Sequence, residues 1–305
     1  MAEKIKITFL GTGSSIPTAR RNHPAIFLQY GRENILIDCG EGTQRQFRKA
    51  KLNPCKITKI LISHWHGDHV LGIPGLLKTL TTNGYNRKLE IYGPKGTKKK
   101  VREYFDLFHN REEIDLEVHE VSDGIFFKDA KFSLESISVD HDIPTVAYSF
   151  EVMEKNRIDK KKLKNLKLPN SPLIAELVKG KSVKIGGKRI DGKKLMYKEP
   201  SKKISFILDT RMTKKLFKIS KDSDILVCES TFSEKEKEIA EDHGHLTSSD
   251  AVEIAKKSKV KKLFLVHLSQ RYEAVPKIIL GEAKRNLKGT KIEVSVPEDF
   301  DYLEF

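Results

Sequence analysis

Five apolar runs of strand length each stop at a residue that can bind a metal or move a proton. Ile57–Ser63 runs into His64, Phe132–Asp140 into His141, Ile204–Leu208 into Asp209, Asp224–Cys228 into Glu229, and Lys261–Val266 into His267. The runs are short and rich in β-branched and aromatic residues, the composition of strands rather than helices. Functional groups on sheets collect where strands end and loops converge on one crevice. One histidine after one strand is usually a satisfied polar residue at an edge. Five such endings predict a sheet protein whose strand ends build a common site.

The first run opens into Ser63-His64-Trp65-His66-Gly67-Asp68-His69, which holds three histidines and one aspartate in seven residues. His64 and His66 are two apart, as are His66 and Asp68. On a strand such residues share a face, and on a loop they can wrap one ion. Asp68 and His69 are adjacent and diverge, so the cluster can feed two ions with two ligands each. A catalytic zinc takes about three protein ligands and keeps one position open. His141, His267 and Asp209 supply what the cluster lacks, and Asp209, with two oxygens, can bridge. Two ions about 3.5–4 Å apart suit hydrolysis at a phosphate or another acidic centre, because bound water becomes a nucleophile near neutral pH. The leaving group then needs a proton. Glu229 and His245 are candidates, since a glutamate orients an imidazole and raises its basicity; the plainer reading of each is a salt bridge or a helix cap.

Helices are expected between the strands. Ile73–Leu80 carries leucines on one face, Lys98–Phe108 spaces Val101, Tyr104, Phe105 and Phe108 helically, and Thr247-Ser248-Ser249-Asp250 reads as a helix start. The pattern is α/β, two sheets packed together with helices outside. At 305 residues and 38% hydrophobic, the chain can bury a sizeable core as one large domain or a domain with an insertion. Cys39, Cys55 and Cys228 are widely spaced, odd in number and free of any CxxC pair, which excludes a disulfide framework and a thiolate zinc site. No apolar run approaches the roughly 18 residues of a membrane span. The N-terminus enters a strand-like stretch rather than a signal core, so a soluble, cytoplasmic protein without membrane association is expected.

The net charge is +15, and residues 151–203 hold +11 of it, with 17 Lys and Arg against 6 Asp and Glu. This stretch includes Lys160-Lys161-Lys162-Leu163-Lys164-Asn165-Leu166-Lys167 and Leu168-Pro169-Asn170-Ser171-Pro172. Its bland reading is a solvated arm. Its functional reading is a grip on a polyanion through phosphates, with little base stacking because few aromatics interleave.

His64-Trp65-His66-Gly67-Asp68-His69 with His141, Asp209 and His267 resembles the metallo-β-lactamase superfamily, and within it the ribonuclease Z family, endonucleases that trim the 3′ trailer from precursor tRNA. Phe9-Leu10-Gly11-Thr12-Gly13-Ser14-Ser15-Ile16-Pro17, Ile37-Asp38-Cys39-Gly40-Glu41-Gly42-Thr43-Gln44, Gly72-Ile73-Pro74-Gly75-Leu76-Leu77 and His267-Leu268-Ser269-Gln270-Arg271-Tyr272 are similar to that family's motifs. The resemblance covers nearly the whole chain. It implies an αββα sandwich of two mixed sheets with outer helices, a single domain over 1–305 carrying an inserted basic arm over 151–203. It implies two zinc ions per chain, with manganese an alternative, and attack of a metal-bound hydroxide near the discriminator base that leaves a 3′-hydroxyl on the tRNA. His64, His66 and His141 would hold one ion, Asp68, His69 and His267 the other, and Asp209 would bridge. Asp68 would also accept a proton from the attacking water, and Glu229 with His245 would donate one. The expected substrate contacts are Arg20, Arg21 and Asn22 in the loop from Pro17, the arm lysines Lys160, Lys161, Lys162 and Lys164, and Arg271. A homodimer is implied as well.

The chain departs from the family in four places. Ala19 stands where the loop usually has lysine, and Ser171-Pro172 stands where Gly-Pro is usual. Cys228-Glu229-Ser230-Thr231 replaces the bacterial His-Glu-Ala-Thr, and His245-Leu246-Thr247 replaces His-Ser-Thr. Two rival readings compete. A small-ester hydrolase on the same fold would not need the arm. A non-catalytic RNA-binding protein would not need a complete ligand set.

Overall fold

The computed structural model describes residues 3–107, 114–166, 168, 171–185 and 187–305. It contains two seven-stranded sheets. The first runs in the order Tyr302–Glu304, Ile5–Gly11, Ala25–Tyr30, Glu33–Ile37, Lys59–Leu61, Leu89–Gly93, Leu116–Glu120. Its first four strands are antiparallel, and from Glu33–Ile37 onward it is parallel. The second runs Glu293–Ser295, Lys262–Val266, Ile225–Glu229, Lys202–Ile207, Thr145–Val152, Phe132–Val139, Gly124–Lys128, with its first four strands parallel.

Alternation along the strands explains the layering. Ile5, Ile7 and Phe9 share one buried face of their strand, and Phe9 meets Phe264 of the other sheet at 5.1 Å between ring centroids. Tyr148 crosses the same layer and donates its hydroxyl to the Ile62 carbonyl at 2.7 Å. Helices cover the outer faces. Ile73–Thr82 buries Ile73, Leu76, Leu77 and Leu80 against Leu36, Ile60 and Ile91. Ser248–Lys257 buries Ala251, Val252, Ile254 and Ala255 against Leu226, Leu263 and Leu265. Its N-terminus closes with a capping box between Thr247 and Asp250. The helix expected over Lys98–Phe108 spans Thr97–Leu107, and Phe108 lies outside the described residues.

Four of the five anticipated runs end differently: Phe132–Val139 and Lys202–Ile207 each stop one residue early, and two others differ further. The Ile57–Ser63 run pairs as a strand only over Lys59–Leu61. Beyond it the backbone changes partners: Ser63 N–H donates to the Asp38 side chain at 2.7 Å, and the Ser63 carbonyl accepts Val146 N–H from the second sheet at 2.9 Å. Glu229 is the last residue of its strand rather than the first beyond it.

The chain divides into two compact units. Residues 1–127, 134–150 and 203–305 form the first, and 128–133 with 151–202 form the second. Within the second unit, Lys155–Ile158 pairs with Met196–Glu199 and Ser182–Ile185 with Lys188–Asp191, both antiparallel. Two short helices, Lys160–Asn165 and Leu173–Val178, accompany them. Leu177, Val183 and Leu195 make a small core with Ile158, Leu163, Leu168, Ile185 and Ile190 around it. Lys167, Pro169 and Asn170 of the anticipated arm lie outside the described residues.

Candidate metal centre and proton-transfer pair

The His-rich loop leaves the first sheet at Leu61 and turns into the short helix Gly67–Val70. It packs directly on the loop after the Glu33–Ile37 strand. A Cβ on Gly40 would lie 2.3 Å from the Asp68 carbonyl oxygen, so no larger residue fits there. From the second sheet, Asp209, Glu229 and His267 stand at the C-terminal ends of adjacent parallel strands, where ligands gather in open sheets. His267 holds a left-handed backbone at φ 59°, a conformation histidine tolerates better than most residues.

These residues meet in two groups. His64, His66, His141 and Asp209 bring one ligand atom each within 4.8 Å of one another, and so do Asp68, His69, Asp209 and His267. Asp209 belongs to both. Its Oδ2 lies 3.6 Å from His64 Nε2 and 3.4 Å from His69 Nε2, and its Oδ1 lies 3.2 Å from His267 Nε2. Within the first group, His66 Nδ1 is 3.1 Å from His64 Nε2 and 3.2 Å from His141 Nε2. Within the second, His69 Nε2 is 3.3 Å from both His267 Nε2 and Asp68 Oδ2.

The arrangement fits metal ions. A tetrahedral centre with metal–nitrogen bonds of about 2.0–2.1 Å has ligand–ligand edges of about 3.3 Å, which is the spacing found. Asp209 Oδ1 is buried and accepts no hydrogen bond, a costly state unless another partner is bound. The far side of each ring is also committed. His69 Nδ1 donates to Asp38 Oδ2 at 2.5 Å, and His141 Nδ1 to the Gly244 carbonyl at 3.0 Å. Ser63 gives its hydroxyl proton to Asp38 and so accepts from His64 Nδ1 at 3.0 Å. Thr231 gives its proton to Glu229 and accepts from His267 Nδ1 at 2.8 Å. Four imidazoles are thereby held in the tautomer that leaves Nε2 free, while His66 presents Nδ1. Burial opposes charge on Asp209, yet His267, His69 and His245 outweigh it and hold the carboxyl well below its usual range.

Glu229 is fully buried and stands beside the second group. It accepts Thr210 N–H at 2.8 Å, the Thr231 hydroxyl at 2.6 Å, and His245 Nδ1 at 3.2–3.3 Å. Burial opposes charge on His245, but Glu229 and Asp209 outweigh it and push its pKa up to about 9. His245 is 16% exposed, so its ring reaches solvent.

The residues anticipated to touch substrate have different fates. Arg20 and Asn22 line a cleft of about 400 Å³ together with Arg45 and Lys49. Arg21 borders the same cleft, but its guanidinium turns inward. It is 5% exposed and donates to Thr12 Oγ1 and the Pro297 carbonyl, both at 2.7 Å, so it braces the loop. Arg271 lies over the Phe232 ring and pairs with Glu236, which leaves its side chain only partly exposed. Lys160, Lys161, Lys162 and Lys164 are all exposed on one short helix of the second unit.

The family profile described as "Anti-Pycsar protein Apyc1" matches residues 5–161. That stretch contains the His-rich loop and His141 but stops before Asp209, Glu229, His245 and His267. Other likenesses run the full length. Ribonuclease Z of Nanoarchaeum equitans is 38% identical over 98% of this chain and 93% of its own. That of Archaeoglobus fulgidus is 37% identical over 98% and 97%. Among solved structures, human tRNase Z, short form, superposes with a TM-score of 0.70 at 27% identity, covering 98% of each chain. The metallo-β-lactamase fold protein YhfI of Bacillus subtilis superposes at 0.72 with 17% identity over 99% of this chain and 100% of its own, which speaks to the fold alone. Agreement along the whole length, across both halves of the metal centre, decides the matter: the chain belongs to the ribonuclease Z family, built on the metallo-β-lactamase fold.

Proposed function

We propose that the chain is a metal-dependent endoribonuclease that removes the 3′ trailer from precursor tRNA, cutting near the discriminator base and leaving a 3′-hydroxyl on the tRNA. The observation that carries this reading is the pair of ligand groups sharing Asp209, set beside the buried Glu229–His245 pair. His64, His66 and His141 would hold one ion and Asp68, His69 and His267 the other, with Asp209 shared between the two groups. The donor set of imidazoles and carboxylates suits zinc, two per chain, with manganese the alternative. When bound, such ions lower the pKa of water and neutralise charge on a phosphodiester.

The protein's own groups do the rest. Asp68, with 10% of its side chain exposed, takes the proton of the attacking water. Glu229 holds the His245 ring by Nδ1, which leaves Nε2 to protonate the departing 3′-oxygen. The unit built around 151–202 carries most of the surplus positive charge and grips the body of the tRNA, reading phosphates and shape rather than sequence. Arg20 and Asn22 contact the RNA near the cut. The family likeness also supports a homodimer acting in the cytoplasm; among the described residues no helix is long and apolar enough to cross a membrane.

Incubating the protein with a precursor tRNA bearing a 3′ trailer, beside an Asp68→Ala control, and mapping the product ends tests the reading. A single cut near the discriminator base, absent in the control, is expected. No cut by protein shown to be metal-loaded would overturn it.

A further inference from the structure

Arg211 follows Asp209 by two residues and ties together the loops that carry His141 and His245. Its Nε donates to the Glu241 carbonyl at 3.0 Å. Its Nη2 donates to Asp142 Oδ1 at 3.0 Å and to the Asp242 carbonyl at 3.5 Å, while Nη1 lies 3.8 Å from Asp140 Oδ1. Asp140 and Asp142 flank His141. Glu241 and Asp242 end the helix Lys237–Asp242, which runs straight into Gly244 and His245. The backbone reinforces both ends: Arg211 N–H donates to the Asp140 carbonyl at 2.7 Å, and His245 N–H to the Ala240 carbonyl at 2.8 Å.

The junction between the two loops is tight. Gly244 accepts His141 Nδ1 at 3.0 Å. It sits at φ +72°, and a Cβ there would lie 2.7 Å from that nitrogen and 3.4 Å from Arg211 Nη1. A guanidinium is suited to this place because its rigid fork donates in several directions at once, toward carboxylates on one side and helix-end carbonyls on the other. The side chain is 31% exposed, so the pairs are partly screened, and their value lies in geometry.

We infer that Arg211 is a positioning residue for the cleavage reaction: it fixes the His245 loop against the His141 loop and so sets where the proton donor stands relative to the departing oxygen. This rests on the reading of His245 as that donor. The inference has a signature that general damage lacks. A ribose 3′-oxygen must gain a proton as it leaves, whereas p-nitrophenolate leaves without one. A donor displaced by about 1 Å costs on the order of 100-fold.

The test measures kcat and KM for Arg211→Gln, Arg211→Lys and His245→Ala on precursor tRNA and on bis(p-nitrophenyl) phosphate, with metal content determined for each. Arg211→Gln is expected to lower kcat on the RNA by roughly 10- to 100-fold. Its KM for RNA, its metal content and its hydrolysis of the nitrophenyl ester should stay within a few-fold of the parent. Arg211→Lys keeps the charge and should recover part of the loss. Asp142→Asn removes one exposed tether and should show the same split more weakly, which keeps the test open if Arg211→Gln does not fold. Equal losses on both substrates, or lost metal, would overturn the inference and leave Arg211 as a brace of the His141 ligand. His245→Ala separates the two layers. If it splits the substrates and the Arg211 variants do not, the positioning role alone is wrong. If His245→Ala shows no split, the proton-donor reading fails and takes the inference with it.

Discussion

Four imidazoles of the candidate metal centre donate an Nδ1–H hydrogen bond to a neighbour, and the neighbours are chemically unlike: the Asp38 carboxylate, the Ser63 and Thr231 hydroxyls and the Gly244 carbonyl. The residues that the fold gathers into the two groups were legible in the sequence, because few residue types can bind a metal and each follows an apolar run or sits in the His-rich loop. Their supports were not. Ser63, Thr231 and Gly244 are recruited by position, and any hydroxyl or carbonyl brought to the same place would serve. Asp38 was visible within the motif Ile37–Gln44, but its reach to His69 depends on the packing of two loops. Arg21 shows the converse limit, since a basic motif names the charge and not the direction in which it points. Asp38 carries the sharpest prediction at this scale. It accepts His69 and the Ser63 hydroxyl on one oxygen and Ser63 N–H on the other. Asp38→Asn leaves all candidate ligands in place but turns an acceptor into a donor. Metal affinity should fall about 10- to 100-fold, read by competition with a chromophoric chelator. Unchanged affinity would mean that His69 needs no such partner.

Strands and helices were legible where one local rule decides them. The Thr247–Asp250 capping box fixes the start of Ser248–Lys257, and the spacing of Ile73, Leu76, Leu77 and Leu80 fixes the buried face of Ile73–Thr82. What the local pattern could not give is where a strand leaves its ladder. Ile62 and Ser63 are as apolar or β-compatible as the residues before them, and Ile62 N–H still donates to the Tyr92 carbonyl, but at Ser63 the Asp38 side chain and Val146 take over as partners. That early exit frees the chain to coil into the His-rich loop. The capping box gives an element-scale prediction. Thr247→Ala removes the hydroxyl that accepts Asp250 N–H and donates to Asp250 Oδ2. It should cost about 1 kcal/mol of unfolding free energy, measured by urea denaturation, with metal content unchanged because Thr247 contacts none of the candidate ligands. Slower precursor-tRNA cleavage with no loss of stability would show that the cap serves the His245 loop rather than the helix.

At the scale of the whole molecule, the candidate metal centre takes its residues from both sheets. His64, His66, Asp68 and His69 follow strands of the first, and His141, Asp209 and His267 follow strands of the second. Ions bound there would link two layers, and anything that binds the native state alone stabilises it by mass action. At free metal about 1,000-fold above Kd the gain is about 4 kcal/mol, so chelation should lower the thermal midpoint by several degrees, and adding zinc back should restore it. A midpoint indifferent to chelator would argue that the sheets hold the site without ions. Charge is distributed on a different plan. The surplus lies within 151–203, and Lys160, Lys161, Lys162 and Lys164 project from one short helix whose N-terminus is capped by Asp159. Changing all four to Gln removes four positive charges from solvent-exposed positions and leaves the small core of that unit untouched. If each lysine neutralises one phosphate, the slope of log K against log salt for precursor tRNA should become shallower by about 3. Hydrolysis of a small phosphodiester should not change, because that reaction has no polyanion to grip. An unaltered salt slope would move the RNA-binding surface away from this helix, and a parallel loss on the small ester would mean that the substitutions had disturbed the metal centre.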